Sequence, residues 1–156
     1  MLDEDDQAPD FALPGDNGET VVLSKHKGRP VVVYFYPKDD TSGCTAQAKD
    51  FSCQLDAFKA AGADIIGISP DSTISHLKFK TKHDLALTLA ADEDKAIATA
   101  YGVWVEKSMY GRKYMGVERS TFLVGKTGKI VQLWRKVKVP GHVDEVLSAV
   151  KALMSQ

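Results

Sequence analysis

The sequence predicts an α/β protein: a mixed central sheet flanked by helices, with an added β-hairpin at the amino end. Three patterns lead there. Residues 31–36, Val-Val-Val-Tyr-Phe-Tyr, form an unbroken β-branched and aromatic run. A strand without alternation is one covered on both faces. Ala48, Phe51, Leu55 and Phe58 recur at helical spacing and make one apolar stripe. Strand-like and helix-like segments then alternate along the rest of the chain, the order that stacks helices on a sheet.

Each element has its own warrant. Phe11-Ala12-Leu13 and Thr20-Val21-Val22-Leu23 flank Pro14-Gly15-Asp16-Asn17-Gly18, which reads as strand, turn, strand. Gly28-Arg29-Pro30 resets the chain before the 31–36 strand, and Pro37 ends that strand because proline cannot donate to a ladder. A helix is expected over 42–61, closed by Gly62. Residues 63–69 form the next strand, and Pro70-Asp71-Ser72 opens a helix to about Lys82. Residues 85–89 read as a short strand and 94–101 as a short helix closed by Gly102. Residues 103–117, with Gly111 and Gly116, read as mostly loop. Residues 120–124 and 130–134 flank Gly125-Lys126-Thr127-Gly128 as a hairpin, and 143–154 form a terminal amphipathic helix. A βαβ unit followed by a hairpin and helix is the thioredoxin plan, here enlarged by the amino-terminal hairpin and the middle helix.

The chain has 156 residues, the size of one domain, which is placed at 1–156. Hydrophobic residues at 44% and charged ones at 26% are ordinary globular usage and exclude disordered or fibrous structure. Twenty basic against 21 acidic residues give a net charge of -1, without the basic excess of a nucleic-acid binder. Lys126, Lys129, Arg135, Lys136 and Lys138 read as a solvated hairpin face. The acidic start, Asp3-Glu4-Asp5-Asp6, is no secretory signal, and no apolar run is long enough to span a bilayer. Two cysteines cannot make a disulfide framework. The expectation is a soluble cytoplasmic protein that keeps its thiols reduced. His76 and His83 could share a helix face, but with no carboxylate or cysteine cluster beside them in sequence they make a poor metal site. No cofactor is expected.

The segment with most chemical content runs from the end of the central strand into the next helix. A short polar loop, Lys38-Asp39-Asp40-Thr41, follows Pro37, and Cys44 falls in the first helical turn. Unpaired backbone N–H groups and the positive end of the helix dipole meet there. Both favour an anion, so they favour the thiolate, the nucleophilic form of cysteine.

Pro37-x-x-x-Thr41-x-x-Cys44 resembles the active-site motif of peroxiredoxins, and the stretch from Phe35 to Thr45 is similar to that of the PrxQ group, also called bacterioferritin comigratory protein. The likeness extends to Tyr101-Gly102-Val103-Trp104, Met109-Tyr110-Gly111, Tyr114-Met115-Gly116 and Arg119-Ser120-Thr121-Phe122-Leu123. It implies a thioredoxin-like fold and a thiol-dependent peroxidase for hydrogen peroxide and alkyl hydroperoxides, recharged by thioredoxin or another thiol reductant. Cys44 would be the peroxidatic cysteine. Thr41 would hold peroxide and thiolate together, or serve as a helix N-cap, or both. Pro37 would wall the pocket, and Arg119 would lie against the sulfur. The resemblance also implies a monomer, with a dimer as the alternative; the charge balance and the short apolar runs lead to the expectation of no nucleic-acid or membrane partner.

The sequence departs from the group at two places. Ser42 stands where many members have proline, which should soften the first turn. The position five after Cys44, where many relatives carry a resolving thiol, is Lys49, and residues 72–82 contain no cysteine. The only other thiol is Cys53. It is read as inert, as resolving Cys44 after local unfolding, or as pairing with another molecule. The alternative function is a peroxide-responsive sensor or holdase without efficient turnover.

Overall fold

The computed structural model describes residues 2–156. The chain begins with an antiparallel hairpin of β1 (Ala12–Pro14) and β2 (Thr20–Val22), followed by a 3-10 turn, Leu23–His26. Then come β3 (Val31–Phe35), α1 (Ser42–Cys53), α2 (Leu55–Ala60), β4 (Asp64–Ser69), α3 (Thr73–His83) and β5 (Thr88–Ala91). The last part contains α4 (Ala96–Ala100), β6 (Trp104–Met109), β7 (Arg112–Val117), β8 (Ser120–Val124), β9 (Ile130–Trp134) and α5 (His142–Met154). Among the described residues no helix is long and apolar enough to cross a membrane.

Five strands form the central sheet in the order β5-β4-β3-β8-β9. β3 is its middle strand, parallel to β4 and antiparallel to β8. All five of its residues are buried. Val31, Val33 and Phe35 enter one core, with Tyr101 and Ala98 of the α4 region and Phe11 and Val21 of the amino-terminal hairpin region. Val32 and Tyr34 enter the other, with Phe51 of α1, Phe58 of α2, Phe79 of α3 and Val146 of α5. The unbroken apolar run thus reflects two opposed cores, each served by alternate residues of one strand.

Four sequence expectations change in detail. The helix expected over 42–61 is two helices, parted at Gln54, whose φ and ψ are -97° and 5°. The break lets Phe51 and Phe58 pack into one cluster, their ring centroids 5.9 Å apart. Gly62, at φ 89°, closes α2 as expected. Its N–H donates to Lys59 and that of Ala63 to Phe58, which caps the last carbonyls in a Schellman motif. The strand expected at 85–89 pairs only from Thr88 to Ala91, against Ile66 to Ser69. Leu85 and Leu87 are buried, but as lead-in to the strand. The short helix expected at 94–101 covers only Ala96–Ala100. The largest change is at 103–117, read as mostly loop: β6 and β7 form a six-pair hairpin. Its two-residue turn, Tyr110-Gly111, has φ of 52° and 78°, the left-handed pair that matches strand twist.

Candidate active site

The register between β3 and β8 decides where the site lies. Phe35 pairs with Ser120, so Arg119 stands beside the chain just where it leaves β3 for the Pro37–Thr41 loop. That is the carboxyl end of the parallel strands, where open α/β sheets place their ligands. The loop turns sharply at Asp40, whose φ of 61° is left-handed. Asp40 is held from outside by Lys82 at 2.6 Å and His83 at 2.7 Å. These two hydrogen bonds, His83 first, lower the pKa of its carboxyl.

Thr41 occupies the N-cap position of α1 with extended backbone, but its side chain does not cap the helix. Its hydroxyl donates back to the Lys38 carbonyl at 2.9 Å. The first helical hydrogen bond runs from Thr45 N–H to Thr41 carbonyl, so the amides of Ser42, Gly43 and Cys44 begin the helix as its free donors. Cys44 is only 2% exposed. Arg119 Nη2 donates to its Sγ at 3.2 Å. The other terminal nitrogen, Nη1, donates to Gln47 Oε1 at 2.5 Å. Gly43 leaves room for this approach: a Cβ there would come within 3.3 Å of Arg119 Nη2.

The site residues expected from the sequence fall in two places. Cys44 and Arg119 are in direct contact, Thr41 begins the turn above them, and half-buried Pro37 joins β3 to the loop. Cys53 is exposed at the far end of α1. Gln47 is an addition that sequence reasoning missed. It follows Cys44 by one helical turn, and a polar residue on the buried stripe was the available signal. Its Nε2 has no hydrogen-bond partner, although the side chain is wholly buried.

The floor of the site is aromatic and polar by turns. Tyr34 stacks on Phe51 at 4.6 Å, and burial raises its phenol far above the ordinary range, with the nearby Cys44 charge adding to this. Thr121, next along β8, meets His142 Nε2 at 2.8 Å. Burial lowers the pKa of His142, and the Arg119 charge lowers it further against the opposing pull of Glu145. Lys107 on β6 is likewise lowered, by burial and then by Arg119.

The histidines are less isolated than the sequence suggested. The fold brings Asp39 and Asp71 to His76, with ligand-type atoms all within 4.8 Å of one another. Asp40 is brought to His83. The expectation of no carboxylate cluster near them is overturned by the fold, which delivers Asp39 and Asp71 from two other loops.

A model of the AhpC/TSA family matches residues 5–133. The peroxiredoxin Bcp of Bacillus subtilis is 51% identical over 145 residues, 93% of this chain and 92% of that protein. The peroxiredoxin Bcp of Xanthomonas campestris is 48% identical over 147 residues, 94% of this chain and 92% of that protein. Among solved structures, the Xanthomonas campestris bacterioferritin comigratory protein, studied for alkyl peroxide reduction, superposes with a TM-score of 0.88 at 46% identity, covering 92% of each chain. A cysteine-to-serine mutant of Xylella fastidiosa PrxQ superposes with a TM-score of 0.93 at 37% identity, covering 98% of each chain.

Proposed function

The chain belongs to the AhpC/TSA family, in its Bcp/PrxQ peroxiredoxins, and from that premise we propose that Cys44 is the thiol through which it reduces peroxides. The protein is a thiol-dependent peroxidase with a thioredoxin-like fold. The observation that carries the residue assignment is the Arg119 guanidinium donating to a buried sulfur at the start of a helix.

The chemistry follows from the positions. The Cys44 thiolate attacks one peroxide oxygen, the S–O bond forms, and the O–O bond breaks. The released alkoxide or hydroxide takes a proton and leaves as alcohol or water, and Cys44 becomes a sulfenic acid. Arg119 holds the sulfur's negative charge and then meets the charge that passes to the leaving oxygen. Gln47 orients Arg119 through an uncharged oxygen, so the guanidinium keeps its full charge for the sulfur. Thr41 donates to Lys38, which leaves its oxygen lone pairs to accept from the peroxide O–H. Pro37 screens the sulfur from water.

Hydrogen peroxide and alkyl hydroperoxides are the substrates. Because Cys53 lies at the opposite end of α1, the sulfenic acid is reduced from outside. A thiolate of thioredoxin or a similar dithiol attacks the Cys44 sulfur, the S–S bond of a mixed disulfide forms as the S–O bond breaks, and the hydroxide released takes a proton and leaves as water. Its second thiol then frees Cys44 and leaves as the oxidised reductant. The working unit is a single-domain monomer.

The test is peroxide consumption with a dithiol system. The wild-type protein should consume many equivalents, whereas Cys44→Ser should consume none. Intact mass after one peroxide equivalent should show one added oxygen on Cys44. A wild type that stops after a single equivalent would mark a sensor rather than a peroxidase.

A further inference from the structure

On the far side of the peroxidatic loop from Arg119 lies a second polar cluster that the reaction scheme does not use. Asp39 is buried two residues before Thr41. Its Oδ1 accepts from the Tyr36 hydroxyl at 2.6 Å. Its Oδ2 accepts from the Ser75 hydroxyl at 2.8 Å and lies in hydrogen-bond contact with His76 Nδ1 at 2.7 Å. His76 is fully buried, and its Nε2 donates to the Ala90 carbonyl at 3.0 Å. The Asp39 N–H donates to Asp71 Oδ2 at 2.8 Å, and the Ser69 hydroxyl donates to the same oxygen at 2.6 Å. Burial keeps the Tyr36 phenol well above its ordinary value, so it remains a donor.

One loop residue is therefore tied to the ends of β3 and β4, to α3 and, through His76, to β5. A buried carboxylate is tolerated only when its oxygens are filled, and here both are. The Asp39 and His76 atoms hold these hydrogen bonds among themselves and their neighbours, and the cluster braces the loop. The loop's other outward tie, Asp40 to Lys82 and His83, is exposed, where such pairs contribute little. The Thr41 hydroxyl bond to Lys38 is internal to the loop and cannot locate it.

We propose that Asp39, with His76 as its buried counter-group, is the positioning pair of this active site: it fixes Thr41 and the first turn of α1 against Arg119. The first turn is then held from two sides, by Arg119 beside β8 and by the Asp39 brace beside β4 and β5. Positioning of this kind matters because a displacement of about 1 Å at a reacting centre can cost roughly a hundredfold in rate. The proposal rests on Cys44 being the peroxide-reactive thiol, which Cys44→Ser tests separately.

The experiment compares two reactions of Cys44 in one protein, with hydrogen peroxide and with iodoacetamide, each with Cys53→Ser as background. Peroxide needs the Cys44 thiolate with Thr41 and Arg119 in register; the alkylating agent needs only the thiolate. Asp39→Ala should lower the ratio of peroxide to alkylation rates by about tenfold or more, with the melting transition still cooperative. Asp39→Asn keeps the shape and the acceptor for Tyr36, so it should recover part of the ratio, and it replaces Asp39→Ala if truncation unfolds the chain. A ratio within about twofold of wild type in a folded Asp39→Ala protein overturns the proposal. So does a parallel fall of both rates, which would mark a structural role alone. If Asp39→Asn is the only folded variant, an unchanged ratio overturns it and a lowered one supports it.

Discussion

At the first turn of α1, Cys44 is buried, receives a hydrogen bond from Arg119 and stands among free amide donors. At the last turn of the same helix, Cys53 is exposed, close to the residues where α5 begins, with Gln54 donating to Asp144 at 3.3 Å. One end of a helix attracts negative charge and the other repels it. Two identical side chains thus receive opposite electrostatic settings from one element. On the proposed assignment of Cys44, reactivity belongs to the position rather than to the residue type. Nine residues of helix also place the thiols about 13.5 Å apart along the axis and about half a turn round it. A disulfide needs Cα atoms within about 7 Å. Between them lies Phe51, stacked on Tyr34 and fully buried, so joining the thiols in one molecule means exposing that ring at a cost of about 2–3 kcal/mol.

The contrast should disappear altogether in Cys44→Ser, because serine has no accessible anion at neutral pH. Peroxide consumption should fall to background even though Cys53 remains, and residual turnover would show that the exposed thiol can substitute. Arg119→Ala should weaken the contrast without erasing it. Peroxide attack on Cys44 should slow by more than about tenfold, or about 1.4 kcal/mol, in rapid-mixing kinetics on a folded protein. Unchanged kinetics would mean that the helix end alone sets the contrast.

Acid should act on the packing at the start of α5. His142 stands at the start of α5, edge-on to Phe51 at 6.5 Å, and burial lowers its pKa in the folded state. The unfolded chain therefore binds the proton more readily, and stability contributed by neutral His142 is present above about pH 6.5 and declines as pH falls below it. Urea midpoints from pH 7.5 to 5 should drop less in His142→Gln than in wild type; equal slopes would put the acid sensitivity elsewhere. The smallest effect is expected from Cys53→Ser, with first-turnover peroxide kinetics within about twofold of wild type and substantial turnover with a small dithiol. If turnover collapses while the first oxidation stays fast, Cys53 resolves Cys44 and the helix opens in every cycle.

The sheet was legible because its central strand carries no polar residue to disguise it, and α2 because Gly62 supplies a terminator that few other residues can. The β6–β7 hairpin was not legible. Its turn has tyrosine where asparagine or aspartate gives the usual signal, and Tyr110 is 97% exposed, as are half or more of Met109 and Met115. With no buried face at its tip, the pattern of alternation fades. At the site, Cys44 could be placed by its helix start and Arg119 only by resemblance, since 75 residues separate them and only the β3–β8 register brings them together. Asp39 and His76 were hidden for the same reason. A histidine's neighbours along the chain say little about the carboxylate that another strand end will deliver.

That separation has a consequence for the chain while it is being made. β3, α1 and β4 are local to one another, and a growing polypeptide can assemble them as soon as they leave the ribosome. Arg119 and its strand arrive some 75 residues later and enter the sheet between β3 and an edge yet to be built. The nascent Cys44 therefore spends its early life without a guanidinium beside it. Ribosome-bound chains stalled before Arg119 emerges should react with peroxide at about the rate of folded Arg119→Ala, while released chains should react at the mature rate. On the proposed assignment, the last strands to be translated complete a nucleophile that the first third of the chain already contains.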